Sequence, residues 1–180
     1  MTLSGLRQAL MDEGGTVAAT LAPDGAVRAD GGPGPPQLAA SGPRAAGHEA
    51  EYELLLEMIL EGSLLHYGTP RLVLTDDPDL ALLLGDQLYA LGLSRLAQLG
   101  DLDAVRELAD IISLLAQAQA AADPALAAAI WDAGAAAIGW GTSPEHEAAK
   151  ALARAGDGDA TRALVGAYDA LVAHSERGGK

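Results

Sequence analysis

Leu80-Ala81-Leu82-Leu83-Leu84-Gly85-Asp86-Gln87-Leu88-Tyr89-Ala90 is the stretch that decides the fold. It begins a helix-type segment that runs on toward Ala120, with Asp86 set in its most apolar part. A helix apolar on nearly all sides belongs in a core. The pattern therefore predicts a helical protein in which Asp86 is buried. A carboxylate in low dielectric must find donors or take up a proton, at a cost on the order of several kcal/mol if it finds none. His66 and Tyr67, at the end of the preceding helical segment, are the expected donors, and Gln117 is a further member of the predicted buried polar cluster.

Outward from this stretch, composition sets the bounds. The chain has 180 residues, 49% of them hydrophobic, which suffices for one domain with a sizeable core. Alanine and leucine dominate and phenylalanine is absent, a balance that favours helices. With no cysteine there are no disulfides and no thiolate metal sites. A formal charge of −14 repels phosphate backbones and anionic lipid heads, which argues against nucleic-acid partners. No run is long enough to span a bilayer, so no stable membrane insertion is expected. Met1 is followed by Thr-Leu-Ser-Gly-Leu-Arg, not by a basic stretch and a long apolar core, and a cytoplasmic location is the expectation.

The chain divides by texture. Residues 1–13 read as a short amphipathic helix, with Leu3, Leu6 and Leu10 at helical spacing. Residues 14–47, crowded with Gly, Pro and Ala, read as a flexible linker, with a small hairpin around Pro23-Asp24-Gly25. Residues 48–176 read as an antiparallel helical bundle of about six helices, and 177–180 as a disordered tail. The first core helix, about Glu49 to Tyr67, places Tyr52, Leu55, Leu56, Ile59 and Leu60 on one face and stops at Gly68. Asp77-Pro78, Asp101, Asp123-Pro124 and Ser143-Pro144 open the next four helices as acceptors at N-caps, and a sixth runs from about Asp159 to Ser175.

Catalytic residues are not evident. Asp76, Asp77 and Asp79 form the densest acidic cluster and are weak metal candidates, since hard cations take carboxylate oxygens. Their place at a helix start favours capping instead. His146, between two glutamates, reads as a surface residue. Histidine pairs at i, i+4 and glycine-rich phosphate loops are absent. No cofactor is implied.

Leu65-His66, then Leu83-Leu84-Gly85-Asp86-Gln87-Leu88-Tyr89-Ala90, then Leu108-Ala109-Asp110-Ile111-Ile112 resemble the central helices of the trans-polyprenyl diphosphate synthase family. The likeness is greatest to its shortened, non-catalytic members, such as component one of heptaprenyl diphosphate synthases. It implies an isoprenoid-synthase-like all-α fold and a role in isoprenoid biosynthesis. Active members carry two aspartate-rich motifs that grip a diphosphate through magnesium. Here Tyr67-Gly68 follows His66, and Trp140-Gly141-Thr142-Ser143 follows Gly139, so both motifs are missing. Arg71 is the one apparent counterpart of the family's diphosphate-holding basic residues. The resemblance thus implies a non-catalytic subunit that works through a protein partner or as a homo-oligomer. One alternative is a lone module holding an apolar isoprenoid or other lipid. A less favoured one is a prenyltransferase using rearranged acids at Asp76, Asp77 and Asp79.

Overall fold

Four side-chain acceptors set the frame of the fold. In a computed structural model of the chain, which describes residues 3–23 and 34–178 and side chains as far as residue 173, the Asp77, Asp101, Asp123 and Ser143 side chains each accept a backbone N–H from the first turn of the helix they precede. Each cap satisfies donors that a helix start leaves without partners. The elements among the described residues are α1 (Leu3–Glu13), α2 (Gly15–Ala19), α3 (Pro35–Ala40), a 3-10 turn (Pro43–Ala45), α4 (Glu49–Tyr67), α5 (Pro78–Gln98), α6 (Leu102–Ala120), α7 (Pro124–Trp140), α8 (Pro144–Ala155) and α9 (Ala160–Gly178). The protein is an all-α helical bundle.

α4 is the central partition, because it is apolar on two sides. One core holds Tyr52, Leu55, Leu56 and Ile59 of α4 against α3, α6 and α7, and extends to α8 and α9. The second holds Met58 and Leu65 of α4 against Leu6 and Leu10 of α1, Val17 of α2, Leu72 and Val73, and Leu84 and Leu88 of α5. Arg95 of α5 pairs with Glu13 at 3.1 Å, and the Arg7 guanidinium donates to the Ala22 carbonyl, so α1 is tied at its C-terminal end and at its middle.

Among the described residues of the segment expected to be a linker, 14–23 and 34–47, more than half are helical. α2, α3 and the 3-10 turn all fall between residues 14 and 47, and Val17, Ala39, Ala40 and Ala45 are buried. Small residues bury little area each, but they let backbones meet. A Cβ placed on Gly42 would lie 2.2 Å from the Gly139 carbonyl oxygen, and one on Gly139 would lie 2.7 Å from that of Ala39. α3 and the turn at Gly42 that follows it thus meet α7 through backbone contact that needs glycine at Gly42 and Gly139.

Residues 16–19 of the expected hairpin are helical. Leu21 forms an isolated antiparallel bridge with Val73, flanked by Ala22 N–H to the Leu72 carbonyl at 2.7 Å and Leu74 N–H to the Thr20 carbonyl at 2.8 Å. The extended partner is therefore the loop before α5 and not a neighbouring strand. The Asp24-Gly25 tip and the Gly/Pro run through Pro33 lie outside the described residues, as do residues 179 and 180 of the expected tail. Residues 177 and 178 of that tail belong to α9, for no glycine or proline interrupts the chain between Gly166 and Gly178.

Candidate functional site

Asp86 is not buried. Its side chain is 71% exposed, and the expected cluster does not assemble, since Tyr67 and Gln117 are exposed as well. The reason lies in how the helices bury. α5 puts Leu84, Gly85, Leu88, Gly92 and Leu96 inward, a single stripe against α4, and Asp86 lies on the opposite side with Leu82 and Leu83. α6 buries Leu108, Ile111, Leu114, Leu115 and Ala118, and Gln117, one position before Ala118, points about 100° away.

Only His66 keeps a relation to Asp86. Its Nε2 comes within 3.1 Å of Asp86 Oδ1 but off the line of a hydrogen bond. The ring lies nearly parallel to that of Tyr89, with centroids 5.2 Å apart, and a Cβ on Gly85 would meet it at 2.7 Å. The buried Tyr89 hydroxyl has no partner. Burial, then the neighbouring Tyr67 and Asp86, hold its pKa well above the ordinary tyrosine value.

Asp76, Asp77 and Asp79 are exposed at the start of α5. Asp77 Oδ1 accepts from Asp79 N–H at 3.0 Å and Leu80 N–H at 3.2 Å, so capping accounts for it. Among the described residues no three His, Asp or Glu side chains are grouped to hold a metal ion.

Sequence reasoning missed the row Glu53, Glu57 and Glu61, three buried carboxylates one turn apart on α4. Glu61 is fully buried. Its Oε1 accepts the backbone N–H groups of Arg71, Leu72 and Val73 at 2.7–3.1 Å, and its Oε2 meets Arg71 Nε at 3.2 Å. Arg71 Nη2 reaches Glu57 at 2.6 Å, while the Gln37 amide donates to both Glu53 and Glu57 at 2.9 Å. Arg71, the apparent counterpart of a diphosphate-binding residue, is therefore committed to internal carboxylates. The i, i+4, i+8 spacing of the glutamates was the available signal.

A second buried network joins α6 to α8. His146, expected on the surface, is 1% exposed. Its Nε2 lies 2.7 Å from Glu107 Oε1, and its Nδ1 has no partner. Lys150 Nζ bonds Glu107 at 2.6 Å, Asp110 at 2.8 Å and Glu147 at 2.9 Å, and Arg154 adds a contact to Asp110 at 2.6 Å. Burial alone would raise the Asp110 carboxyl, but hydrogen bonds from Lys150 and Arg154 outweigh it and hold the group below its ordinary value. For Lys150 burial pulls downward, and the bonds to Asp110, Glu107 and Glu147 win, so its pKa is raised.

A third polar junction lies at the α6 cap. Asp101 takes Tyr52 Oη at 2.6 Å and Arg44 Nη2 at 2.8 and 2.9 Å, besides capping through Ala104 N–H at 3.0 Å. Burial and that hydrogen bond push the Tyr52 phenol up to about 12. Apart from His146 Nδ1, the charged groups of these networks are paired within the protein, which describes scaffolding more than chemistry.

The openings are modest. An apolar cleft of about 250 Å³ between α4, α6 and α7 is lined by Leu60, Leu64, Tyr67, Leu115, Ala127 and Trp131. It opens to solvent and includes neither His66 nor Asp86. By contrast, Leu82 and Leu83 stand outside α5, 47% and 67% exposed. None of the described helices is long and apolar enough to cross a membrane. No family model, curated protein or solved structure matches the chain.

Proposed function

We propose that this chain is a non-catalytic, polyprenyl-synthase-like protein of the cytoplasm that acts through contact with another protein, as the small subunit of a prenyl synthase would. The observation that carries this reading is the inversion of polarity along the resembled segment. On α5 the apolar Leu82 and Leu83 face outward, while Arg71, in the loop before that helix, is turned inward onto Glu57 and Glu61. An arginine already bound by two buried carboxylates offers little to a diphosphate. Two large apolar side chains side by side on an exposed helix face suit a protein contact. The family likeness, carried by Leu65-His66, Leu83 to Ala90 and Leu108 to Ile112, supplies the biosynthetic context.

The reading is tested by the mass of the protein in solution. Native mass spectrometry of the chain isolated from its own cells, with light scattering on the purified protein, should find it in a complex. A strictly monomeric species in both measurements contradicts the reading.

A further inference from the structure

We propose that the α5 stripe Asp79, Leu82, Leu83 and Asp86 receives a basic amphipathic helix of a partner protein. This inference rests on the reading above, that the chain works through protein contact, and adds where the contact is made and what chemistry it takes.

The four residues fall at i, i+3, i+4 and i+7, so they share one face of the helix, and all four are exposed. The two leucines fill the middle, and a carboxylate stands one turn away on either side. Over seven residues the separation along the helix axis is about 10 Å. Tyr67 extends the surface: it is 42% exposed and its ring centroid is 5.5 Å from that of His66, which lies against Asp86. A helix crossing this face with an apolar pair at its centre, and lysine or arginine a turn before and after, would match it group for group.

The charge selects the occupant. From residue 72 to residue 94 the sequence contains no lysine, arginine or histidine, while Asp76, Asp77, Asp79 and Asp86 all lie in that span. A second copy docked face to face through the stripe would set carboxylates against carboxylates, in a chain whose formal charge is already −14. Anionic lipid and nucleic acid are repelled on the same ground. A cationic partner surface gains from both features together, through burial of the leucines and pairing of the aspartates at the rim.

The test titrates the full chain with two synthetic helical peptides that share one leucine stripe and carry either lysines or glutamates beside it. The lysine peptide should bind, more weakly as salt rises, and should protect backbone amides of α5 from hydrogen exchange. The glutamate peptide should not bind. Affinity for the lysine peptide should fall about tenfold or more in the Leu82→Ser/Leu83→Ser chain, and several-fold in the Asp79→Asn/Asp86→Asn chain. Both sets of residues are exposed, so these variants should keep the wild-type helix content and melting temperature. Equal binding of the two peptides, no binding of either, or binding unchanged by Leu82→Ser/Leu83→Ser overturns the inference. So does self-association of the wild-type chain that those two substitutions abolish, since the occupant would then be a second copy. A natural complex that survives both substitutions removes this inference and leaves the proposed function standing. Stabilisation by magnesium and an allylic diphosphate, with peptide binding intact, would do the reverse.

Discussion

α7 and α5 are both apolar helices, yet α7 buries eleven of its seventeen residues and α5 only five of its twenty-one. Side-chain size accounts for much of the difference. α7 is built mainly from alanine and glycine, so α3, α6, α8, α9 and the 3-10 turn can all approach it, in places to backbone contact. α5 is built from leucine and packs chiefly on α4, with a smaller contact to α6. Its inward stripe carries Gly85 and Gly92, which bring it close to α4, and its outer residues Leu82 and Leu83 stay 47% and 67% exposed. An apolar composition says only that a helix wants cover. The size of its side chains governs how many neighbours can supply it.

Glu61 anchors the loop that leads into α5. Glu61→Ala removes a buried acceptor from three backbone N–H groups and a partner from Arg71, and should cost about 3–5 kcal/mol in urea denaturation. Native-state hydrogen exchange should then quicken in α5 well before α7. Uniform quickening would mean that α5 does not depend on that anchor. Gly139→Ala strikes the α7 side, where the new Cβ has only backbone to displace, and should cost about 3 kcal/mol. At Gly134 the obstacle is the flexible Ile111 side chain, and Gly134→Ala should cost less. Equal losses at Gly134 and Gly139 would undo the claim of backbone contact.

On the α6–α8 side, stability should depend on acid and base. Asp110 is held below its ordinary value, so it binds its proton at lower pH in the folded chain than in the unfolded one. Its contribution is complete above the ordinary carboxylate range near pH 4 and fades as pH falls through the lower folded value. Lys150 is raised, so its contribution is complete below the unfolded value of 10.5 and fades as pH rises through the higher folded one. Lys150→Met should flatten both limbs of the stability profile, by removing the lysine itself and one of the donors to Asp110. Asp86→Ala has the smallest effect expected, within about 0.5 kcal/mol, as befits an exposed side chain. A loss above about 1 kcal/mol would return Asp86 to the core.

Punctuation made most of the bundle legible in the sequence. Asp77, Asp101, Asp123 and Ser143 each cap where their residue type and spacing predict. Of the expected face, Tyr52, Leu55, Leu56 and Ile59 are buried, and Leu60 is only partly buried, beside the open cleft. What escaped was cooperative. Pro36, Ala39 and Ala40 look like linker residues until a helix as small-surfaced as α7 lies against them. Glu61 and His146 carry polar groups that default to solvent, and only distant partners, the 71–73 backbone for one and Glu107 for the other, make their burial tolerable. Asp86 failed in the opposite sense, because an apolar local sequence does not reveal that its helix lies at the edge.

The proposed reading, a synthase-like scaffold without a diphosphate grip, is tested most directly by the melting temperature of the full chain with magnesium and farnesyl diphosphate. Because Arg71 is held by Glu57 and Glu61, and Asp77 caps α5, the expected result is no change. A rise of several degrees that requires both the metal and the diphosphate would contradict it.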